Sequence, residues 1–340
     1  MIARAPLVVA EPILDPAQPI IDAHHHLYVR EGIRYLGADF SADLGTGHNV
    51  QATVLVQARA FYRDHGPEAF RPIGETEFAA QVAEEAQASG GPKLCAGIVG
   101  FADLLQGDAV QPVLEAHISA GKGRFRGIRH ILAWDEDSRL LNPAYPTIKD
   151  MAASTTFRQG FTHLAKLGLS FDAWMFFHQL RDLVSLARRF PDTAIVLNHC
   201  GGILGAGAYS AREREVFLKW RWAMTELASC HNVCVKIGGL GLAISGFEFV
   251  RSDTRPTSHE LANAWQPWVH TCIELFGAER CMFESNFPAD KPSYDYATGW
   301  NAMKRLAVNL TNEERHALFY GSAEQFYRLN HLKPEASGGN

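Results

Sequence analysis

Residues 19–27 read PIIDAHHHL, a short apolar run that ends in three consecutive histidines. The run predicts a buried β-strand, and successive side chains of a strand point to opposite faces. Asp22, His24 and His26 are therefore predicted to share one face, with Ala23 and His25 on the other. Two imidazoles at positions i and i+2 can approach one ion or one substrate oxygen. The alternative is a polar triplet that only ends the strand near water.

Seven further strand-like runs follow this one, and longer helical patterns lie between them. That alternation is typical of parallel βα units and predicts a single-domain, somewhat distorted (β/α)8 TIM barrel. An open doubly wound sheet is the competing architecture, because its strands are also apolar on both faces. The eight predicted strands are Pro19–Leu27, Ala52–Ala58, Leu94–Phe101, Phe125–Leu132, Ser170–His178, Ala194–His199, Val233–Gly238 and Cys281–Phe287.

The helical patterns complete the prediction, which places the barrel at residues 19–332 between an N-terminal extension, 1–18, and a flexible tail, 333–340. Ser258 is the predicted N-cap of one helix, and Thr311 with Glu314 forms a capping box at the start of the last. The helices predicted before the last one are Glu75–Ala88, Ala109–Ala120, Phe157–Leu167, Leu180–Phe190, Ala211–Ser229, His259–Phe276, which is the one capped by Ser258, and Tyr294–Leu306.

Composition limits the partners of the 340-residue chain. Its formal net charge of −5 gives no electrostatic reason to expect nucleic acid or an anionic membrane. No apolar run reaches the roughly 18 residues of a membrane span. The first 20 residues lack the apolar core of a signal peptide, and the six cysteines show no CxxC pair, so we expect reduced thiols and a cytoplasmic location. A small molecule, carrying a carboxylate in one version of the hypothesis, is the expected partner; self-association is left open.

The chemistry-bearing residues fall at the predicted strand ends, where ligand sites of such folds lie. Arg129 is a candidate clamp for a substrate carboxylate or carbonyl, or it forms a salt bridge at the barrel rim. Lys236 either faces the barrel mouth or forms an interior ion pair. His178 and His199 are either site residues or isolated core histidines. The further candidates are His130, Glu284 and Asn286, with Trp174, Phe176, Phe177, Trp134 and Phe287 as walls of an apolar pocket.

These segments resemble the amidohydrolase superfamily, and more narrowly the amidohydrolase-2 group that includes sugar-acid lactonases and the pyrone dicarboxylate lactonase. The resemblance covers nearly the whole chain. It rests on six segments in the family's order, namely DAHHHL, RFRGIRH, SFDAW…FFHQL, LNHCGG, VKIGGLG and CMFESNFPADK, and on the ending LFYGSAEQFYRL.

The resemblance implies a divalent metal, with Zn²⁺ as the first choice, held by His24, His26 and His178. His199 would polarise the scissile carbonyl or complete the site. Substrate contacts are expected from Arg129, His130, Trp174 and Lys236. The family's strand-eight aspartate, which binds metal and acts as base, is replaced here by Asn286, and a carboxamide cannot accept a proton from water at neutral pH. Glu284, Asp290 or a histidine would then act as base, or the enzyme would work without metal.

The leading hypothesis is therefore a hydrolase acting on a sugar-acid or aromatic-acid lactone, or a similar cyclic ester. The alternatives are a metal-dependent aromatic-acid decarboxylase of the same superfamily and a barrel that has lost catalysis and only binds. Asn286 argues against the decarboxylase and is the one feature that favours the inactive barrel. The retained strand-end histidines argue against an inactive barrel.

Overall fold

The computed structural model describes residues 11–247, 249–251 and 254–329 of the chain. Eight parallel strands, β1 to β8 here, form one sheet in sequence order, as predicted for a barrel. Their bounds are Pro19–His25, Asn49–Val56, Lys93–Gly100, Phe125–Arg129, Ser170–Ala173, Ile195–Leu197, Val233–Ile237 and Cys281–Phe283. The predicted tail 333–340 lies outside the described residues.

The barrel is drawn together where β8 meets β1. His26 N donates to the carbonyl oxygen of Phe287 at 2.7 Å, and Asn286 N donates to that of His24 at 2.9 Å. These bonds join the carboxyl end of β1 to the residues that follow β8. The seam therefore places the histidines of β1 beside the polar residues that follow β8, and the single-domain (β/α)8 barrel is confirmed.

Helices follow the strands and cover the outside of the barrel. The Thr311–Glu314 capping box is present, but the second helix start differs from the prediction: Thr257, not Ser258, is the N-cap and pairs reciprocally with Glu260. The longer helices are Gly37–Leu44, Ile73–Ala88, Gln111–Ala120, Thr155–Lys166, Leu180–Arg189, Glu213–Ala228, Ser258–Phe276 and Tyr296–Leu306, followed by the short turns Asn312–His316, Ala317–Gly321 and Ser322–Phe326. A small hairpin, Tyr28–Arg30 with Ile33–Tyr35, follows β1.

The apolar core has two layers. Small and β-branched residues such as Ala23, Val54 and Val196 fill the barrel, and Tyr327 packs with them. A larger cluster lies between the strands and the helices. The six cysteines form no disulfide, and among the described residues no helix has the length and apolarity needed to cross a membrane.

Strand β5 ends earlier than predicted, at Ala173 instead of His178. The side chain of Gln179 explains the turn, because its Oε1 accepts the backbone N–H of Phe176 at 3.1 Å and of Trp134 at 3.0 Å. Its Nε2 donates to the carbonyl oxygen of Leu132 at 2.9 Å. The chain is thus folded back onto the loop after β4, and His178 leaves the line of the strand.

Candidate active site

Histidines from β1 and from the end of β6 converge at the mouth of the barrel. The Nε2 atoms of His24 and His26 are 3.2 Å apart. The ring centroids of His24 and His199 are 4.7 Å apart. Glu284, which follows β8, lies against both His24 and His199. Residues that are far apart in sequence therefore form one compact cluster.

Asp22 does not share the face of His24 and His26, so that prediction is wrong. The pairing of β1 with β2 shifts register between Asp22 and His25, which interrupts the simple alternation of side chains. Asp22 accepts hydrogen bonds from the Tyr296 hydroxyl at 3.0 Å and from Ser285 N at 2.9 Å. His25 stacks on Phe40. Both residues thus lie on the helix side of the strand.

His199 sits on a sharp turn that follows β6. Its φ of 54° and that of Cys200, 51°, are left-handed, and two glycines follow. The ring is packed closely against Gly239, where an added Cβ would come within 2.3 Å of His199 Nδ1. The LNHCGG and VKIGG segments therefore pack closely against each other, because only glycine at position 239 leaves room for the His199 imidazole.

Glu284 orients His199. One carboxylate oxygen, Oε1, accepts the Nδ1 hydrogen of His199 at 2.7 Å and its backbone N–H at 3.1 Å. A carboxylate requires the Nδ1 atom to carry the proton, so Nε2 of a neutral His199 has the lone pair. Nε2 makes no hydrogen bond within the described part of the chain, and His199 lines the cavity above it. The arrangement is a histidine–carboxylate pair.

The second oxygen of Glu284 approaches His24. Its Oε2 is 2.9 Å from His24 Nδ1, but the contact lacks hydrogen-bond alignment, and this buried oxygen has no other hydrogen-bond partner among the described residues. His24, His199 and Glu284 each offer one ligand atom within 4.8 Å of the others, so the cluster is of a kind that could hold a metal ion.

His24 and His26 are neutral at physiological pH. Burial lowers the pKa of both rings well below the usual value, and nearby positive groups, Lys236 for His24 and Arg129 for His26, lower the pKa further. His26 Nδ1 donates to the carbonyl oxygen of Val56 at 2.7 Å, which leaves the lone pair on Nε2. The His26 lone pair therefore faces His24.

Two cations flank His24. Arg129 Nη1 donates to His24 Nε2 at 3.2 Å, and its Nη2 donates to the carbonyl oxygen of Gln57. Lys236 Nζ is 3.3 Å from His24 Nδ1 and 2.7 Å from Asp172 Oδ1. Arg129 is therefore no rim salt bridge, whereas Lys236 forms the interior ion pair that the sequence left open.

A cavity of about 440 Å³ opens above the cluster. Its polar lining includes His26, His199, Arg129 and Asn286. Its apolar lining includes Trp174 and Phe176, as expected, together with Ile131, Leu140 and Ile244 from the surrounding loops. The volume suits a small molecule of sugar size.

Several predicted residues lie elsewhere. His178 Nε2 is 3.0 Å from Asp135 Oδ2, which also accepts from the Tyr209 hydroxyl, so His178 does not join His24 and His26. His130 is buried between the rings of Phe101 and Phe157, away from the cavity lining. His130 comes directly after β4, and the alternation of side chains that turns Arg129 inward turns His130 outward.

Other candidates support the cavity from behind. Asn286 Nδ2 donates to Asp290 Oδ1 at 2.8 Å, and Asp290 also accepts from Gly241 N and the Tyr294 hydroxyl. Asp290, Glu284 and Lys236 are fully buried and do not line the cavity. Trp134, Phe177 and Phe287, proposed as pocket walls, are likewise absent from its lining.

Three residues near the cavity were not identified from the sequence. Arg30 and Tyr145 line the cavity, and Glu75 lies behind it. Arg30 belongs to the hairpin after β1, and Tyr145 belongs to the long loop after β4. Neither position carries a motif or spacing signal, since long loops place their side chains by tertiary contacts.

The fold and this cluster define a class, a (β/α)8-barrel enzyme with a histidine–carboxylate site at the carboxyl ends of its strands. A family model described as amidohydrolase matches residues 21–329. The chain therefore belongs to the amidohydrolase family, as its motifs implied.

Relatives extend over nearly the full length. The uncharacterized protein y4mH of Sinorhizobium fredii is 33% identical, with 91% of this chain and 98% of that protein covered. The L-fucono-1,5-lactonase of Burkholderia multivorans is 27% identical over 91% of this chain and 96% of its own length. A solved amidohydrolase from Burkholderia multivorans covers 91% of this chain and 99% of its own in two crystal forms: one with bound HEPES (23% identity, TM-score 0.69) and one with bound zinc (24%, 0.65).

Proposed function

We propose that this protein hydrolyses a lactone of a sugar acid or aromatic acid, or a similar cyclic ester. The observation that carries the proposal is the pairing of His199 with Glu284 at the cavity. A histidine whose Nδ1–H is held by a buried carboxylate is oriented to accept a proton on Nε2. The name of the Burkholderia multivorans lactonase supports the same reaction class.

In the proposed reaction, His199 Nε2 removes a proton from water as the water oxygen attacks the lactone carbonyl carbon. The carbon–oxygen double bond opens to a tetrahedral oxyanion. When the carbonyl re-forms, the ring ester bond breaks and the leaving oxygen takes the proton back from His199. The product is an open-chain hydroxy acid, and the histidine returns to its neutral form.

Arg129 is proposed to stabilise the oxyanion. It is buried, it lines the cavity, and its guanidinium is held in place by His24 and Gln57. A cation fixed before reaction in a water-poor site stabilises developing negative charge without reorganisation. Of the two substrate groups that the sequence suggested for Arg129, a carboxylate or a carbonyl, this role takes the carbonyl. Asn286, which lines the same cavity, is proposed to contact the substrate through its amide oxygen.

The donors for a divalent ion fit zinc in type and spacing. His24 Nε2 and His26 Nε2 are 3.2 Å apart. Two nitrogens bound tetrahedrally at about 2.0–2.1 Å would be roughly 3.3 Å apart. His24 and His26 would hold the ion through these two nitrogens, and Arg129 Nη1 would then give up its hydrogen bond to His24 Nε2. Zn²⁺ bound there would polarise the carbonyl as a Lewis acid. Arg129 and Lys236 oppose a dication, so we propose weak binding.

The test is acid release from a panel of aldono-1,4-lactones, aldono-1,5-lactones and aryl lactones. Purified enzyme, with and without added zinc, is assayed with a pH indicator above the spontaneous rate. Enzyme-dependent opening of at least one lactone is expected. No turnover of any member under either condition would overturn the proposal.

Hydroxybenzoates belong in the same experiment, because the sequence left a decarboxylase open. Carbon dioxide release from them, with every lactone unreacted, would replace the proposal by the decarboxylase. A His65→Gln variant purified in the same way should keep the activity, since His65 is exposed and hydrogen-bonds to its neighbour Asp64.

A further inference from the structure

The outer part of the cavity holds a guanidinium without an acidic partner. Arg30 Nη2 donates to the carbonyl oxygen of Ala58 and to the Tyr145 hydroxyl, the latter at 2.8 Å. The guanidinium also lies over the ring of Tyr28, 4.5 Å from its centroid. Within the described residues Arg30 forms no ion pair, and its Nε and Nη1 atoms make no hydrogen bond. Arg30 is thus fixed on one side, with donors left for a ligand.

The charged residues of the cavity lining are all arginines, namely Arg30, Arg129 and Arg139. The lining within the described chain contains no aspartate or glutamate. Arg139 is neutralised by Asp137 through two hydrogen bonds of 2.7 and 2.8 Å. Arg30 therefore faces the cavity as a cation that has no ion-pair partner among the described residues. Arg129 adds a second cation there, with the buried acids Asp172, Glu75 and Glu284 in its surroundings. The formal net charge of the protein is −5, so this positive charge is local. Such local charge favours an anionic ligand.

These two cations have different surroundings. Arg129 is buried and donates to His24 in the catalytic cluster. Arg30 is exposed at the rim, beside Tyr145, and contacts none of the clustered histidines. One cation can therefore act on the reacting carbonyl while the other binds a second group of the same substrate.

The backbone under Arg30 is rigidly supported. Ala58 O accepts from Arg30 and, at 2.9 Å, from the Tyr145 hydroxyl. Ala58 N donates to the buried carboxylate of Glu75 at 2.7 Å, and Ala60 N donates to the same Oε1 at 3.3 Å. A helix residue thus pins the segment that holds the guanidinium. Arg30 is preorganised, which lowers the entropy cost of binding.

We propose that Arg30, positioned by Tyr145, forms a subsite for an anionic group remote from the scissile ester, and that the substrate is a lactone that retains a free carboxylate. The product would then be a dicarboxylate. The guanidinium donors of Arg30 would bind the carboxylate by charge-assisted hydrogen bonds. This inference rests on the proposed lactone hydrolysis and narrows its substrate class.

A matched pair of lactones tests the subsite. D-glucono-1,4-lactone and D-glucaro-1,4-lactone differ only in a CH2OH group against a carboxylate at C6, and the galacto pair repeats the comparison. The carboxylate-bearing member is expected to have a kcat/KM at least about tenfold higher, and added salt should reduce that preference. Arg30→Gln should raise KM for this member at least about tenfold and leave the neutral member within about twofold. Tyr145→Phe should give a smaller effect in the same direction.

Arg34→Gln is the matched control, because Arg34 is exposed on the same hairpin and pairs with Asp39, outside the cavity lining. Binding of D-glucarate and D-gluconate, measured by calorimetry, gives a readout that does not need turnover. The wild type should bind glucarate more tightly than gluconate, whereas Arg30→Gln should bind the two acids equally. Equal kcat/KM for both members, or an Arg30→Gln effect equal on both, would overturn the subsite while lactone hydrolysis stands. No turnover of any lactone, with equal binding of both acids, would overturn both proposals.

Discussion

Glu284 Oε1 accepts two hydrogen bonds from one residue, the Nδ1–H and the backbone N–H of His199, at 2.7 and 3.1 Å. The first bond fixes the tautomer of the ring, and the second fixes the turn that carries it. The carboxylate that follows β8 therefore acts through the histidine that follows β6. The pairing with Glu284 lets His199 act as the base, a role that the amide of Asn286 cannot fill.

Replacing Glu284 by glutamine should lower kcat by about 100-fold or more, because an amide can present its N–H to Nδ1 and leave the proton on Nε2. KM should change little, since Glu284 does not line the cavity. Steady-state kinetics on the most reactive lactone of the panel provide the measurement. Glu274→Gln is the control, because Glu274 is exposed and pairs with Arg221. A kcat within about threefold of wild type would contradict the role of Glu284.

Replacing Asn286 by aspartate should couple stability to zinc. The Asn286 amide donates to Asp290 at 2.8 Å, and burial raises the pKa of Asp290 to about 6. A carboxylate at 286 would face that of Asp290, so the melting temperature in chelator should fall by about 3 °C or more. Zinc should restore it, because the new carboxylate is a metal ligand.

Asn198→Asp provides the comparison for this zinc effect. Asn198 Nδ2 also donates to a buried carboxylate, Asp172 Oδ1 at 3.2 Å, but that carboxylate already forms an ion pair with Lys236. The Asn198 variant should lose stability without recovery in zinc. Equal recovery of both variants, or of neither, would argue against an ion site beside His24 and His26.

Replacing Glu75 by alanine should raise KM for a carboxylate-bearing lactone more than it lowers kcat. The change leaves the backbone N–H groups of Ala58 and Ala60 without their acceptor and so loosens the support of Arg30. Each lost bond costs about 1–3 kcal/mol. Glu75→Gln, which keeps an acceptor oxygen, should rescue much of the KM. Thermal melting checks that both variants fold, and a fall confined to kcat would disprove this positioning role.

Replacing His130 by phenylalanine should reduce the loss of unfolding free energy that the protein suffers as the pH falls below 7. Burial lowers the pKa of His130 to about 3, whereas an unfolded histidine titrates near 6.5. The folded state keeps the ring neutral while the unfolded chain binds a proton, so this stability is present above about pH 6.5 and lost as the pH falls towards 3.

Between pH 7 and 5 the wild type should therefore lose about 2 kcal/mol more unfolding free energy than the His130→Phe variant. Urea unfolding at both pH values measures the difference. Phenylalanine should pack between Phe101 and Phe157, so the variant is expected to fold. The exposed His65→Gln control should follow the wild type, and parallel profiles for all three proteins would contradict the prediction.

The sequence predicted the barrel because its signal is local and repeated. Each apolar run is followed by a helical pattern. Parallel strands that are covered by helices are buried on both faces, so they appear in the sequence as continuous apolar runs. The convergence of His24, His26 and His199 followed from the same rule, since the carboxyl ends of all eight strands meet at one mouth.

The missing parts depend on contacts between distant segments. The register shift after Asp22 and the turn held by Gln179 leave no periodic signal, so the orientation of Asp22 and the position of His178 could not be derived. The placement of Arg30 depends on the carbonyl oxygen of Ala58 and on Glu75 behind it. Such loop geometry is set by tertiary hydrogen bonds, which local propensity does not encode.

The most direct test of His199 as the base is chemical rescue of His199→Gly. The residue has a φ of 54°, which glycine adopts without strain, so the backbone turn should survive the change. On a lactone that the wild type opens, kcat should fall by about 10²- to 10⁴-fold, and added imidazole should restore part of it in proportion to the concentration of its neutral form. A variant that keeps kcat within about twofold of wild type without imidazole would contradict the account.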